Sequence, residues 1–247
     1  MSNNTKQDFR QITAVILAGG LGMRLRPAIK DQPKVLASVH GKPFISYLLD
    51  QLAGIGIKNV ILCTGYLGSQ IQDLLGNSYG GMRLNYSQES SPLGTAGALR
   101  KAAPLLKSSL ALVMNGDSYC DADLQALLDW HQSQASSATL VLTYLNDATR
   151  YGLVEMDESG AILSFTEKNN KFGQGLINVG IYLLSRDMIL DIPDNAGAIS
   201  LERDVFPEWI GKGLRGYKTQ CRFLDIGIPA AYAIAEDFFS EKGDLKS

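Results

Sequence analysis

Glycines at the end of an apolar run leave bare backbone N–H groups free to close around phosphate oxygens, and the chain offers such a turn at Leu17-Ala-Gly-Gly-Leu-Gly-Met-Arg-Leu25. Arg24 adds a fork-shaped positive charge to Leu17, Ala18, Gly19, Gly20 and Gly22. The alternative is a tight loop that merely needs glycine's conformational freedom. The turn lacks Gly-Lys-Ser/Thr, so it is no P-loop, and Leu25 stands where a dinucleotide fingerprint has its third glycine. No acidic residue lies about 20 positions on to hold an adenosine ribose. In Asp31-Gln-Pro-Lys34 a proline stiffens the approach of one lysine, which is otherwise a solvated loop residue. Asp117 follows the apolar run 110–115, so its carboxylate emerges at the carboxyl end of a strand, the edge where open α/β sheets hold ligands. Asp225 likewise ends a strand. Two carboxylates and non-bridging phosphate oxygens suit Mg²⁺, a hard ion that keeps its waters; equally, each aspartate caps a turn. His40 and His131 stand beside no Ser or Cys nucleophile and are expected at the surface or its boundary, so His-dependent chemistry is hard to build.

Elements must carry these groups to one place. Residues 12–18 form a short, β-branched apolar run that stops at glycine, as a central strand covered on both faces would. Pro43 opens a segment with Ile45, Leu48, Leu49 and Leu52 at helical spacing, and 59–64 reads as the next strand. The alternation continues through helix 69–75, strand 82–87, helix 95–106, strand 110–115 and helix 121–134. Beyond it, 138–145, 152–156 and 161–165 read as strands, the last two joined by the turn Asp157-Glu-Ser-Gly160. A long strand over 175–184, short helices near Ser185 and Glu202, a strand over 221–224 and a helix over 229–241 complete the chain. The expected fold is α/β: a Rossmann-like three-layer α/β/α arrangement with a central, mostly parallel mixed sheet and a small hairpin-bearing lobe. The end lacks the hexapeptide period of a β-helix.

Bulk properties narrow the partners. With 247 residues, 45% apolar and 19% charged, the chain is long enough to bury a core and too short for several large domains. A net charge of -2 with no basic run argues against nucleic acid. No apolar stretch reaches the roughly 18 residues of a membrane span. Lys6 and Arg10 ahead of an apolar run imitate a signal peptide, but Asp8 interrupts the basic part and the run dissolves into glycines. Three widely spaced cysteines, Cys63, Cys120 and Cys221, form no CxxC or zinc pattern and point to a reducing compartment. The expectation is a cytoplasmic protein with no membrane partner.

Together, Leu17-Ala-Gly-Gly-x-Gly-x-Arg-Leu25 and Pro33-Lys34 resemble the signature of the sugar-1-phosphate nucleotidyltransferase family, whose members join a nucleoside triphosphate to a sugar phosphate. The blocks Glu89-Ser-Ser-Pro-Leu-Gly-Thr-Ala-Gly-Ala98, Asn115-Gly-Asp117, Tyr151-Gly152, Phe165-Thr-Glu-Lys168, Asn178-Val-Gly-Ile-Tyr182 and Asp225-Ile-Gly227 match further family blocks in order. The resemblance implies one domain over 1–247, with a nucleotide-binding half (12–135) and a sugar-phosphate-binding half (136–247). It implies nucleotide contacts from the glycine turn, Arg24, Lys34, Glu89, Gly94 and Thr95. It places Asp117 and Asp225 on Mg²⁺, Lys168 on the sugar phosphate, and Gly152, Glu167 and Asn178 on sugar hydroxyls. Arg24, Lys34, Asp117 and Lys168 are then the catalytic set. Two departures stand out: Met23 where the family usually has Thr or Ser, and Ile228-Pro-Ala-Ala-Tyr232 in place of the more usual Thr-Pro-Glu-Asp-Tyr.

In this family the residue five places before the glycine of Pro-Leu-Gly lies against the base, which here is Glu89. A carboxylate is acceptor-only, and guanine's N1–H and N2–H₂ edge presents adjacent donors. Glu89 therefore argues for GTP, with a solvated glutamate and base reading by Gln88 or backbone as the alternative. Among guanylyltransferases the chain is most similar to the short bacterial enzymes that use D-glycero-α-D-manno-heptose 1-phosphate. Mannose-1-phosphate guanylyltransferase and glucose-1-phosphate thymidylyl-, uridylyl- or cytidylyltransferase stay open, as does homo-oligomer formation. A non-catalytic sugar-nucleotide-binding regulator and an NAD-dependent oxidoreductase are the competing classes. Retention of Lys34, Asp117 and Asp225 counts against the first, and the missing third glycine against the second.

Overall fold

In a computed structural model, the described residues are 8–25, 29, 31–166, 173–194 and 197–240. The first half builds strands β1 (Thr13–Ala18), β2 (Ser38–Val39), β3 (Lys42–Pro43), β4 (Asn59–Thr64), β5 (Ser78–Tyr79), β6 (Met82–Gln88) and β7 (Leu110–Asn115). Helices α1 (Phe44–Gly54), α2 (Gly68–Leu75) and α3 (Gly94–Ala102) alternate with them. β8 (Ser118–Cys120), α4 (Leu124–Ser133), β9 (Ala138–Leu145), β10 (Leu153–Met156), β11 (Ile162–Thr166) and β12 (Gly175–Ser185) follow. The chain continues through α5 (Arg186–Leu190), a π-helical turn (Leu201–Val205), α6 (Phe206–Trp209), β13 (Leu214–Lys218) and β14 (Phe223–Asp225) to α7 (Pro229–Ala233) and α8 (Ala235–Ser240).

One ten-stranded sheet runs through both halves along the path β11-β10-β12-β7-β1-β4-β6-β5, with β9 on β12 and β13 on β9. β6, β4, β1 and β7 are parallel, whereas β12 joins β7, β9 and β10 antiparallel. β1 therefore lies mid-sheet, and its alternating side chains serve two cores. Ala14, Ile16 and Ala18 pack on one face with Leu48, Leu49 and Leu52 of α1. Val15 packs on the other with Leu99 of α3 and Phe206 of α6. That two-faced burial explains the run's apolar character, each fully buried Val, Ile or Leu being worth about 1.5–3 kcal/mol.

Several sequence expectations change in detail. Helix 121–134 begins only at Leu124, because the Asp123 side chain accepts from the Ala126 N–H at 2.9 Å and caps the helix there. Just ahead of the expected helix, Ser118–Cys120 forms β8, a strand with no counterpart in the sequence pattern, which pairs antiparallel with β14. The single helix expected over 229–241 is two short ones, α7 and α8, broken at Ile234, which is exposed while Ala235 and Phe239 turn inward. β13 has no counterpart in the sequence reading: its Leu-Arg-Gly-Tyr-Lys composition hides a strand that is recruited by parallel pairing with β9. His131 lies buried rather than at the surface, because α4 presses it against β9, where Nδ1 meets Thr139 Oγ1 at 2.7 Å. Burial drives its pKa down to about 4.

Cysteine spacing likewise gave no sign of the Cys120–Cys221 disulfide, whose Cα atoms are 6.1 Å apart across 101 residues of chain. Pairing of β8 with β14 creates that proximity. Cys63 is free and buried, and burial pushes its thiol up to about 12, far from a nucleophile's range. Among the described residues no helix is long and apolar enough to cross a membrane.

Candidate active site

The carboxyl ends of β1 and β7 sit side by side at the sheet centre, and the glycine turn leaves from one of them. The Gly116 N–H donates to the Leu17 carbonyl at 2.9 Å, tying Asn115-Gly-Asp117 to the start of that turn. A cavity of about 390 Å³ opens there. Leu17, Ala18, Gly19, Gly20, Gly22, Arg24, Lys34, Glu89, Gly94 and Thr95 all line it. The structure thus gathers every residue assigned to the nucleotide around one space, with Asp117 and Asn115 at its edge. Met23 lines it too, with 66% of its surface exposed.

Glu89 follows β6, held by its own N–H to the Thr64 carbonyl at 2.8 Å. Its Oε2 accepts from the Leu93 N–H at 3.2 Å. The side chain runs under Gly65, where a Cβ would lie 2.7 Å from Oε1, so only glycine there leaves the carboxylate room. Burial raises the Glu89 pKa above the usual carboxylate range, against the opposing pull of Leu93 N–H and Lys101. Beside it, Gly19, Gly65, Tyr66 and Gln88 enclose a further recess of about 320 Å³.

Asp117 and Asp225, 108 residues apart in the chain, become neighbours through the small β8–β14 sheet. Asp225 pairs with Ser118, and the Ile226 N–H donates to the Asp117 carbonyl at 3.0 Å. Lys34, its side chain only 10% exposed, donates from Nζ to Asp117 Oδ2 at 2.7 Å. Arg150 approaches Asp225 Oδ2 at 3.9 Å and stands over the Tyr151 ring at 5.6 Å. Each carboxylate therefore has a cation beside it, which offsets the repulsion that bringing two anions together would otherwise cost. The Cys120–Cys221 disulfide and the Arg222–Asp121 ion pair at 2.9 Å clamp the far end of the same two strands.

Two carboxylates are hard oxygen donors of the sort that Mg²⁺ takes one or two at a time beside substrate phosphates. Both carboxylates line one cavity, and among the described residues no group of three or more His, Cys, Asp or Glu is arranged to hold a metal. A hard ion that prefers six oxygens would complete its shell from water and substrate phosphates, as Mg²⁺ commonly does.

A second cavity, about 550 Å³, adjoins the first at Arg24, Asn115 and Asp117. Gly152 and Asn178 line it, as do Tyr151 and Asp225. Glu167 and Lys168 fall outside the described residues. Two further residues escaped the sequence reading. Glu202 lines this cavity from the π-helical turn, a kind of turn often found at functional sites. Arg150 reaches Asp225, and its place next to Tyr151-Gly152 is the one sequence signal that pointed toward it.

Comparison with known proteins gives a consistent result. The family model described as "Nucleotidyl transferase" matches residues 13–242. The chain is 38% identical over 224 residues to D-glycero-alpha-D-manno-heptose 1-phosphate guanylyltransferase of Campylobacter jejuni, covering 89% of this chain and 96% of that protein. It is 36% identical over 239 residues to mannose-1-phosphate guanylyltransferase of Mycobacterium tuberculosis, where it covers 95% of itself but only 65% of the relative's length. Among solved structures, HddC from Yersinia pseudotuberculosis complexed with GMP-PN superposes with a TM-score of 0.81 at 32% identity, over 92% of this chain and 99% of that one.

Proposed function

This chain belongs to the nucleotidyl transferase family, and from that premise we propose that it transfers a guanylyl group from GTP to a sugar 1-phosphate, releasing pyrophosphate and a GDP-sugar. The observation that carries the reading is the adjoining pair of cavities that meet at Asp117 and Arg24, one lined by the glycine turn and the other by Asn178 and Gly152. The favoured acceptor is D-glycero-α-D-manno-heptose 1-phosphate, supported by near-full-length similarity to proteins of that name. Mannose 1-phosphate is the second reading, supported by similarity to mannose-1-phosphate guanylyltransferase.

The chemistry follows from charge. A sugar phosphate is already anionic at neutral pH, so no side chain has to take a proton from it. Its oxygen attacks the α-phosphorus; the new O–P bond forms as the bond to the β-phosphate bridging oxygen breaks, and pyrophosphate leaves with the electron pair. The protein's task is in-line positioning and stabilisation of the charge gathering on the leaving group. Backbone N–H groups of the glycine turn cradle the phosphates, with Arg24 and Lys34 supplying positive charge. Lys34 stands ready for this, since its ammonium is held at the cavity by Asp117. The family resemblance assigns Lys168 to the acceptor phosphate, and Arg150 stands beside Asp225. Asp117 and Asp225 would hold Mg²⁺, which supplies charge neutralisation to the triphosphate when bound. Glu89 faces the base, where its carboxylate accepts a pair of guanine donors.

The test is a matrix of GTP, dTTP, UTP and CTP against heptose, mannose and glucose 1-phosphates, read as Mg²⁺-dependent pyrophosphate release. Turnover highest with GTP and a manno-configured acceptor is expected. Absence of release with every pair overturns the enzymatic reading, and a preference for dTTP or UTP overturns the role given to Glu89.

A further inference from the structure

The two cavities share more than an edge: a continuous chain of side-chain hydrogen bonds passes from one to the other through a single carboxylate. Thr95 Oγ1 donates to Glu202 Oε2 at 3.0 Å, and Ser200 Oγ donates to the same oxygen at 2.9 Å. On the other carboxylate oxygen, Tyr182 OH donates to Oε1 at 3.2 Å. Asn178 Nδ2 in turn donates to the Tyr182 hydroxyl oxygen at 2.9 Å, and Asn178 Oδ1 accepts the Gly180 N–H at 2.9 Å. Thr95 lines the glycine-turn cavity, and Asn178 lines its neighbour.

We propose that Glu202 is a positioning residue for the sugar pocket: anchored on Thr95 and Ser200 at the nucleotide side, it holds Tyr182 and, through Tyr182, fixes Asn178. The inference rests on the assignment of those pockets given above. A carboxylate is a costly choice for packing alone, since a partly buried charge loses hydration that only good hydrogen bonds replace. What it provides here is acceptors for three hydroxyl donors at once, which a neutral amide cannot match. The Tyr182 ring is fully buried among Phe206 and the surrounding core, so its hydroxyl is a fixed relay. With its hydroxyl held, the Asn178 amide has one orientation relative to the cavity.

The helix carrying Thr95 does not depend on this link for its place. The Ala96 N–H donates to the Ile199 carbonyl at 2.9 Å and the Ile199 N–H to the Leu93 carbonyl at 2.8 Å, so backbone bonds already fasten α3 to the segment leading into the π-helical turn. Gly94, at φ +73°, is required by that closeness, because a side chain there would strike the Ile199 carbonyl. The Thr95–Glu202–Tyr182 chain therefore acts on side-chain orientation more than on fold.

The experiment is calorimetric titration of GDP and of GDP-mannose, with Mg²⁺, into the wild-type protein, E202Q and T95V, alongside melting temperatures. Wild type is expected to bind GDP-mannose more tightly than GDP. In E202Q that preference falls by about tenfold or more, the scale of one hydrogen bond to a charged group, while GDP affinity stays within about twofold. T95V, which alters a residue outside the sugar cavity, is expected to erode the same ratio severalfold. A folded E202Q with an unchanged ratio overturns the proposal, as does one that loses both affinities equally. Should E202Q fail to fold, Y182F keeps the ring in the core and removes the same link, with the same ratio lost or the proposal overturned. Wild type that binds neither ligand overturns the functional reading itself. Equal wild-type affinity for the two removes the sugar subsite, and the inference with it.

Discussion

The two cavities, proposed for the nucleotide side and the sugar side of the site, are built by different means. On the nucleotide side a contiguous turn, 17–24, supplies the longest unbroken stretch of the lining, three of its residues glycines, at the end of a parallel strand. On the sugar side the lining comes from β10, β11, β12, the π-helical turn and β14, where side chains hold one another in place. Glycine backbone offers its N–H groups without help from side chains, so the first region depends little on side-chain contacts. The second depends on hydrogen-bond chains such as the one through Glu202, and a change in one member is felt by the rest. Function placed on backbone is thus local and sturdy, and function placed on side chains is distributed and easier to retune.

The strongest perturbation falls on the seam that belongs to both. Asp117→Asn and Asp225→Asn are each expected to lower turnover by roughly a hundred- to a thousandfold or more, the scale of removing one preorganised electrostatic group, with the protein still folded. Initial rates of pyrophosphate release across a Mg²⁺ titration check this, and near-normal rates would dissolve the seam as a metal site. Glu89→Gln probes the nucleotide side alone. Loss of one acceptor pair should cut the preference for GTP over dTTP or UTP by roughly fivefold to a hundredfold and leave the ranking of sugar phosphates as it was. Competition assays with paired nucleotides read this directly. If the sugar ranking moves instead, the two regions are not independent in the manner described.

Acidification tests the scaffold beneath the sugar side. His131 bonds Thr139 on β9, and β9 pairs with β12, which carries Asn178. Its folded pKa, about 4, lies below the unfolded value near 6.5, so the unfolded chain takes up the proton first. Stability is full above about pH 6.5 and declines as pH falls toward 4, by up to about 3 kcal/mol from this one residue. Chemical denaturation between pH 7 and 4 should show that slope, and His131→Gln should flatten it. A slope unchanged by the substitution would assign the acid sensitivity elsewhere.

Much of the scaffold was legible because single-element signals are local. The strands at 59–64, 110–115 and 138–145 match the structure residue for residue, since apolar runs bounded by polar residues leave little freedom of register. α1 was equally plain from Ile45, Leu48, Leu49 and Leu52, all fully buried. β8 and β13 were not, because three and five residues of mixed polarity become strands only when a partner offers its edge. The same distinction runs through the site. The glycine turn announces itself in consecutive letters, but Glu202 sits in an ordinary polar stretch, and nothing in its neighbours marks its reach to Thr95 and Tyr182.

What the amino-acid order settled by itself was chemical type and local form: a glycine turn at the end of an apolar strand, two strand-end carboxylates, an acceptor-only glutamate at position 89. Those properties belong to residue types and short spacings. Tertiary structure alone decided which groups became neighbours, bringing Asp117 beside Asp225, Cys120 onto Cys221 and Glu202 between two cavities. The physical reason is that such contacts close loops of about a hundred residues, and their free energy comes from whole sheets and cores packing together rather than from the few residues that meet.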